Sequence, residues 1–356
     1  MQNSQDREEF GLPKRSNKAK RTDENELENA RSGSDSDGIQ FEMTIGTSID
    51  QTALVPGNLE KQWTENNRNY FHYKMNIPMI NFYSIVSATY ETKKDIWTPK
   101  NDTQSYPVDL EIYYHKEHHY NIDRMMHSMK SSLDYFSNNF SPYQYEQLRI
   151  MEFPRFSKFA QSFPGTIPFS ESIGFVLDID DEKDVDMAFF ITAHEIAHQW
   201  FGMQVEAANV EGQYFVLETL SQYAAMMVLK QAYGEDKLQQ FLEIQLEDYK
   251  DGKDREVGEE PSLVNVANQD YVYYAKGAIN MYKLQKDIGE EQVNKALRRF
   301  LEDWNSSDGK LKTTTNRYAT SQDLLGYFRE VTPESLKHVI SDLFENHDFL
   351  SFYKEH

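Results

Sequence analysis

Two histidines with a glutamate between them are the residues of this chain best suited to chemistry. His194, Glu195 and His198 form the pattern H-E-x-x-H. On an α-helix, residues four apart lie on the same face, so both imidazoles can reach one metal ion while Glu195 lies beside it. This spacing is typical of zinc hydrolases, in which the glutamate is the general base for a metal-bound water.

An ordinary amphipathic helix with two hydrogen-bonded histidines is the alternative interpretation of this motif. The run from Met187 to Ala193 that precedes it is apolar, which predicts a buried helix. An acidic residue that could be the third metal ligand also follows downstream. We therefore favour the metal site over the alternative.

Glu218 is the best candidate for that third ligand. A catalytic zinc site needs three protein ligands and one open position. Glu218 lies in a predicted helix, after a loop long enough for this helix to fold back against the first. Its apolar neighbours predict that the helix is largely buried: Val216, Leu217, Leu220 and Ala224. Because a buried carboxylate needs a partner, we expect one Zn²⁺ per chain, held by His194, His198 and Glu218.

Composition excludes several classes of partner. The 356 residues carry a formal net charge of −21, which argues against nucleic acid and against an anionic membrane surface. The chain has no cysteine, so a metal site must use histidine and carboxylate ligands. No apolar run approaches the roughly 18 residues of a membrane span, and the first residues lack the apolar core of a signal peptide. We expect a soluble chain with no membrane span.

The chain divides into three regions on sequence pattern. Residues 1–38 are almost entirely polar and predict a disordered tail or linker. Residues 39–115 contain β-branched and aromatic runs between turn signals, which predict a partial antiparallel β domain. Residues 116–356 are mainly helical and include the zinc motif. The expected fold class is therefore α+β, with an antiparallel β region followed by a mainly helical catalytic domain.

Helical spacing of apolar residues begins near Asn121 and returns through most of the second half of the chain. A methionine-rich stripe in the first of these segments is interpreted as core. The later helices are predicted at 214–233, 236–249, 273–288, 290–304, 321–329 and 333–345.

Two motifs resemble the M1 family of zinc aminopeptidases, which are gluzincins. The pattern H-E-x-x-H-x-W-[FW]-G is present from His194 to Gly202, and the family's L-x-E-G-F-A-x-Y is present in altered form from Val216 to Tyr223. Nineteen residues separate His198 from Glu218, one more than in most members. The resemblance implies a thermolysin-like (zincin) catalytic domain that removes N-terminal residues from peptides.

The resemblance also implies roles for two residues outside the zinc motif. The family's Y-E-K-G element is similar to Tyr274-Ala275-Lys276-Gly277, so Tyr274 is expected to stabilise the oxyanion of the tetrahedral intermediate. The family's G-A-M-E-N-W-G signature is similar to residues 168–174 only at Glu171 and Gly174. Glu171 is therefore expected to bind the substrate α-amino group. Departures in this motif leave two alternatives open: an endopeptidase, or a weakly active module that binds peptides.

Short stretches of the sequence are especially similar to bacterial M1-like peptidase domains attached to ABC-2-type transporter permeases. Ala160-Gln161-Ser162-Phe163-Pro164 and the Glu218-Thr219-Leu220 region carry this similarity. It implies association with an ABC-type membrane transporter, and a chain that is cytoplasmic or held at the membrane through a permease portion that is missing here.

Overall fold

A computed structural model describes residues 10–12, 18–31, 33, 38–100, 106–256, 258–305 and 317–346. Its first part is an antiparallel sheet of β1 (Glu42–Ser48), β4 (Arg68–Lys74) and β3 (Asn58–Glu65), in that order. Asn66 and Asn67 join β3 to β4 with positive φ angles of 50° and 59°, the backbone of a tight hairpin turn. A short antiparallel ladder of β2 (Thr52–Leu54) and β5 (Val86–Ala88) lies next to this sheet.

A second sheet follows, in the order β6 (Glu91–Trp97), β7 (Val108–Tyr114), β8 (Gln147–Phe153) and β9 (Thr166–Ser170). β6 and β7 are antiparallel, whereas β7–β8 and β8–β9 are parallel. The chain returns from β7 to β8 through a helix, which is the connection that parallel strands require. The predicted boundary at residue 115 therefore falls inside a sheet, because β6 and β7 are joined to strands of the following region.

The other regular elements of the described chain are helices. The helices are α1 (Glu24–Leu27), α2 (Ile122–Asn139), α3 (Met187–Ala197), α4 (Leu220–Tyr233), α5 (Glu235–Arg255), α6 (Gly277–Ile288), α7 (Glu290–Trp304), α8 (Ser321–Val331) and α9 (Lys337–Phe344). Five-residue and six-residue π-helical turns, Phe215–Thr219 and Tyr271–Lys276, precede α4 and α6. The fold is thus mixed α+β, with a sheet region followed by a helical region.

The core of the helical region is built around α3. This helix packs against both α2 and α4, and nearly all of its residues are buried, as in a helix that lies inside the core. Met125, Met126 and Met129 of α2 are buried in the main core. The interpretation of the methionine stripe as core is confirmed.

The amino-terminal segment is better ordered than its composition predicts. Residue Ala30 is buried against Ala208 and Val210, and Lys20 pairs with Glu211 at 2.7 Å. The expectation of disorder is therefore wrong for residues 18–31, because their polar side chains find partners on the helical region. Residues 1–9, 13–17, 32 and 34–37 lie outside the described residues.

In the part of the chain that the structure describes, no helix combines the length and apolarity needed to cross a bilayer.

Candidate active site

The start of α3 is held in place by three groups around one carboxylate. Asp186 caps the helix by accepting a hydrogen bond from the Phe189 N–H at 2.9 Å, the usual role of an N-cap side chain. Its other oxygen accepts hydrogen bonds from Arg124 at 2.9 Å and from the Tyr233 hydroxyl at 2.8 Å. These contacts tie α3 to α2 and α4, and so fix the helix that carries the H-E-x-x-H motif.

The structure brings the three predicted zinc ligands together. The Oε2 atom of Glu218 lies 3.4 Å from Nε2 of His194 and 3.2 Å from Nε2 of His198. One ligand atom from each residue lies within 4.8 Å of the other two. Two imidazole nitrogens and one carboxylate oxygen therefore converge on a single buried point.

This donor set fits zinc. His198 hydrogen-bonds through Nδ1 to the Phe201 carbonyl oxygen, at 3.0 Å, and lies 3.0 Å from the Ser221 hydroxyl. A proton on Nδ1 leaves the lone pair of Nε2 free for a metal, which is the usual outer-shell arrangement of zinc-binding histidines. Among the described residues, Oε2 of buried Glu195 has no hydrogen-bond partner. Such an atom points to a ligand or water that the protein itself does not supply.

Glu218 and Tyr274 both lie in π-helical turns, where the sequence pattern predicts ordinary α-helix. Such turns are rare and are found frequently at functional sites. The hydroxyl of Thr219 in the first turn donates to the carbonyl oxygen of Tyr273 in the second, at 2.5 Å. A Cβ on Gly277 would lie 2.5 Å from that hydroxyl. Glycine at 277 thus lets the two turns approach each other.

Attraction within the cluster outweighs the cost of burying its charges. Burial alone raises the pKa of Glu218, but the charge of His198 and the hydrogen bonds from both imidazoles hold it well below its usual value. Burial lowers the pKa of His198, yet the Glu218 carboxylate raises it to about 9. A divalent cation bound at His198 would displace the proton that the imidazole holds at pH values below this pKa.

Glu195 lies on the same helix and has a different environment. Burial raises the pKa of its carboxyl group, with partial opposition from the charges of His198 and His194. The backbone N–H of Ser162 also interacts with this carboxylate. A raised pKa brings a carboxyl group closer to the range in which it can both accept and return a proton.

Tyr274 lies directly beside the three candidate ligands. Its hydroxyl donates a hydrogen bond to Oε2 of Glu218 at 2.9 Å, and its ring centroid lies 5.8 Å from that of His194. Burial, followed by the charge of Glu218, raises the pKa of Tyr274 well above its usual value. The phenol is therefore protonated at neutral pH and can act as a hydrogen-bond donor.

Glu171 belongs to a second cluster. It follows β9 directly, and its Oε1 accepts a hydrogen bond from the Arg155 N–H at 3.1 Å. Its Oε2 lies 3.7 Å from Nδ1 of His118. His118 also contacts buried Glu152, which accepts a hydrogen bond from the His115 N–H at 2.6 Å. Each carboxylate here accepts a hydrogen bond from the protein, and one ligand atom from each of His118, Glu152 and Glu171 lies within 4.8 Å of the other two.

Sequence reasoning missed the part played by Gln199. The side chain of this residue, next to His198, donates to the Ser162 hydroxyl at 2.6 Å and to the Phe163 carbonyl oxygen at 3.0 Å. It also accepts from the Gly165 N–H at 3.0 Å. Its position directly after the second histidine was the available signal, but a distant backbone partner cannot be read from local spacing.

An H-E-x-x-H helix that faces a glutamate on the next helix is the arrangement of a gluzincin metal site. The sequence profile of the peptidase family M1 domain matches residues 124–344, more than half of the chain. The chain belongs to peptidase family M1.

Curated relatives are similar to parts of the chain. The probable aminopeptidase 1 of Sulfurisphaera tokodaii is 38% identical over 77 residues, which cover 20% of this chain and 9% of the relative. The leucyl aminopeptidase of Saccharolobus solfataricus is 22% identical over 228 residues, which cover 61% of this chain and 27% of the relative. The chain thus matches about a quarter or less of the length of these relatives.

Solved structures share the fold. The M1 zinc metallopeptidase of Deinococcus radiodurans superposes with a TM-score of 0.64 at 16% identity, over 88% of this chain and 65% of that one. A mutant of the same enzyme bound to the substrate Tyr-Ser-Ala superposes with a TM-score of 0.61, also at 16% identity, over the same shares of the two chains. The similarity covers both the sheet region and the helical region.

Proposed function

We propose that this chain is a zinc-dependent metallopeptidase that removes N-terminal residues from peptides. The observation that carries the proposal is the convergence of Glu218 on the two histidines of the H-E-x-x-H helix, at 3.2–3.4 Å. The aminopeptidase names of the curated relatives support the same activity.

The proposed mechanism divides the work among the residues of the cluster. A zinc ion held by His194, His198 and Glu218 would supply Lewis acidity for a water molecule and for the scissile carbonyl. Glu195 takes the proton of the attacking water and later delivers it to the leaving amine. Tyr274 donates a hydrogen bond to the carbonyl oxygen as negative charge develops there.

Replacing Glu195 with Gln tests the assignment of the general base. The amide cannot take the water proton but keeps the shape of the side chain. We expect hydrolysis of aminoacyl-arylamides to fall by about two orders of magnitude or more, while zinc content stays at that of the unmodified chain. Undiminished hydrolysis by zinc-loaded Glu195→Gln would contradict the assignment of Glu195 as the general base. Zinc and peptide binding without turnover in the unmodified chain would instead favour the peptide-binding module.

Glu171 is the proposed binding group for the α-amino group of the substrate. Its place after β9 and its partly exposed carboxylate support this role. Replacing Glu171 with Gln is expected to raise KM for peptides with a free amino terminus. Equal KM values for Glu171→Gln and the unmodified chain would show that Glu171 does not bind the substrate.

An endopeptidase is the second candidate, and one observation favours it. The Glu171 carboxylate already contacts His118 and the Arg155 N–H, and these contacts would compete with a substrate ammonium group. An endopeptidase cleaves N-acetylated peptides as fast as free ones, whereas the proposed aminopeptidase does not cleave them. Comparing one peptide in its free and N-acetylated forms distinguishes the two functions.

We also propose that the chain works in association with an ABC-type transporter permease, at the membrane or in the cytoplasm. The similarity of the Ala160–Pro164 stretch to peptidase domains carried by such permeases supports this partner. Co-purification of a permease with the tagged chain from its native host is the expected result. Recovery of the chain alone from crosslinked membranes would contradict it.

A further inference from the structure

The amino-terminal segment, residues 18–31, lies along the loop that connects the zinc motif to Glu218. This connecting loop, residues 207–212, follows the H-E-x-x-H helix and leads towards the π turn Phe215–Thr219. Three backbone hydrogen bonds of 2.8–2.9 Å join the segment to the loop: Glu211 N–H to the Ala19 carbonyl oxygen, Asn209 N–H to the Asn29 carbonyl oxygen, and Arg31 N–H to the Ala207 carbonyl oxygen. The segment therefore spans the loop from one end to the other.

Asn209, in the middle of the connecting loop, binds the segment through its backbone and its side chain. Its Nδ2 atom donates to the Glu26 carboxylate at 2.7 Å, and its Oδ1 atom accepts a hydrogen bond from the Lys18 ammonium group. With the backbone bond to Asn29, this one loop residue has three partners in the segment. A shift of the loop by one residue would break all three contacts together.

The opposite side of the connecting loop is also held in place. The Ala208 N–H donates to the Ala319 carbonyl oxygen and the Gly212 N–H to the Val266 carbonyl oxygen, both at 2.8 Å. Gly212 has a φ angle of +84°, and a Cβ there would lie 2.3 Å from the Val264 carbonyl oxygen. The loop thus lies between the segment and the helical region, and contacts on both sides fix its register.

The register of the connecting loop matters because Glu218 lies in a π turn. Such a turn is rare and contains one residue more than an α-helical turn. Because α4 follows the turn directly and packs against α3, the extra residue can leave the turn only if the loop before it shifts by one residue. Successive residues of a helix are about 100° apart, so this shift would turn the Glu218 side chain away from the two histidines.

We infer that the amino-terminal segment positions Glu218 at the zinc site by fixing the register of the connecting loop. The inference rests on the proposed zinc site, and it assigns a role to residues that lie outside the family profile match at 124–344. Docking of the segment and binding of zinc are then coupled. Because such coupling is reciprocal, weaker docking lowers the zinc affinity, and bound zinc strengthens docking by the same factor.

Trypsin gives a direct readout of docking. Four of its cleavage sites lie in the amino-terminal segment: Lys18, Lys20, Arg21 and Arg31. A protease binds its substrate as a free extended chain, so the docked backbone must first detach from the connecting loop. The cleavage rate then follows the fraction of molecules in which the segment is detached.

The first test compares trypsin cleavage of the metal-stripped chain and the zinc-loaded chain. We expect cleavage within residues 18–31 to be at least about fivefold slower with zinc, the lower end of typical coupling between two sites. Cleavage after Lys116, an exposed residue in the turn that follows β7, is the control and should not change. In Glu218→Ala, zinc should give no protection, because the coupling passes through this carboxylate.

The second test weakens docking directly. Ala30 is 1% exposed and packs against Ala208 and Val210, so Ala30→Glu places a charge in this contact and detaches the segment. Its zinc affinity, measured by competition with a chromogenic chelator, should fall by the factor of the trypsin protection. Asn25→Glu adds the same charge at an exposed position of the segment and should keep the affinity of the unmodified chain. If Ala30→Glu does not fold, Asn209→Ala, which removes only side-chain contacts, takes its place.

Two results would overturn the inference. One is cleavage of the segment that zinc slows no more than it slows cleavage after Lys116. The other is an unchanged zinc affinity in Ala30→Glu when its segment is cleaved as fast as that of the metal-stripped chain. A chain that binds zinc but does not cleave peptides would contradict the proposed function alone, because both readouts work without turnover. A chain that binds no zinc would contradict both.

Discussion

At the scale of single residues, the site depends on groups that orient the candidate ligands as much as on the candidate ligands themselves. The two contacts of His198 Nδ1, with the Phe201 carbonyl oxygen and the Ser221 hydroxyl, fix which ring nitrogen faces Glu218. Both partners come from the chain just after the motif or from α4. The histidines and Glu195 could be predicted from local spacing, whereas these partners could not, since they depend on how α3 and α4 pack.

Replacing Ser221 with Ala is expected to weaken zinc binding. The substitution removes one partner of His198, and the loss of an outer-shell partner typically costs about 10- to 100-fold in metal affinity. Competition with a chromogenic chelator measures the change. Ser128→Ala is the matched control, because Ser128 is a buried serine that donates to the Phe189 carbonyl oxygen, away from the ligands. Equal losses in both variants would mean that the effect is general destabilisation.

Replacing Tyr274 with Phe is expected to lower kcat about 10²- to 10³-fold, the usual effect of removing one oxyanion donor. KM and zinc content should change little, because the ring remains in place. Steady-state kinetics with metal analysis of the same sample gives both quantities. A rise in KM alone, with kcat retained, would assign Tyr274 to substrate binding and contradict its role in the transition state.

At the scale of elements, the two π turns and the ion pair behind them shape the site. Lys276, next to Gly277 in the second turn, pairs with buried Glu260 at 2.5 Å, and the Tyr249 hydroxyl donates to the other Glu260 oxygen at 2.8 Å. The helices around these turns follow from apolar periodicity. The extra residue of a π turn cannot be predicted from this periodicity, because tertiary contacts such as that of Thr219 with Tyr273 stabilise it.

Glu260 makes stability depend on pH in a defined direction. Burial raises its pKa, but the hydrogen bond and charge of Lys276 outweigh burial and lower the pKa below the ordinary 4.5. The stabilisation is therefore present above pH 4.5 and is lost as the pH falls through the folded-state pKa. We expect Glu260→Gln to lower the free energy of unfolding by about 3 kcal/mol at pH 6, and by progressively less below pH 4.5.

Urea unfolding of both proteins across this pH range measures the difference. Glu243→Gln, which changes an exposed carboxylate on α5, should follow the unmodified chain at every pH. If Glu260→Gln lowers the free energy of unfolding by the same amount at pH 6 and at pH 3, the pairing of Glu260 with Lys276 does not make stability depend on pH.

At the scale of the whole molecule, the order of regions could be predicted but their assembly could not. The polar composition of residues 18–31 predicts disorder, yet this segment docks on the helical region through Ala30 and Lys20. The parallel pairing of β7, β8 and β9 joins segments far apart in sequence, and no local pattern specifies such partners. For the same reason, no local pattern reveals that residues 159–163 pair with β9.

The central claim is that His194, His198 and Glu218 together hold one zinc ion. Its most direct test is a zinc titration by calorimetry of the metal-stripped chain and of Glu218→Ala, with X-ray absorption at the zinc edge. The account predicts one zinc ion per chain, coordinated by two imidazole nitrogens and a carboxylate oxygen. It also predicts that Glu218→Ala binds zinc more weakly by orders of magnitude. Equal zinc affinity and an identical spectrum for Glu218→Ala would contradict it.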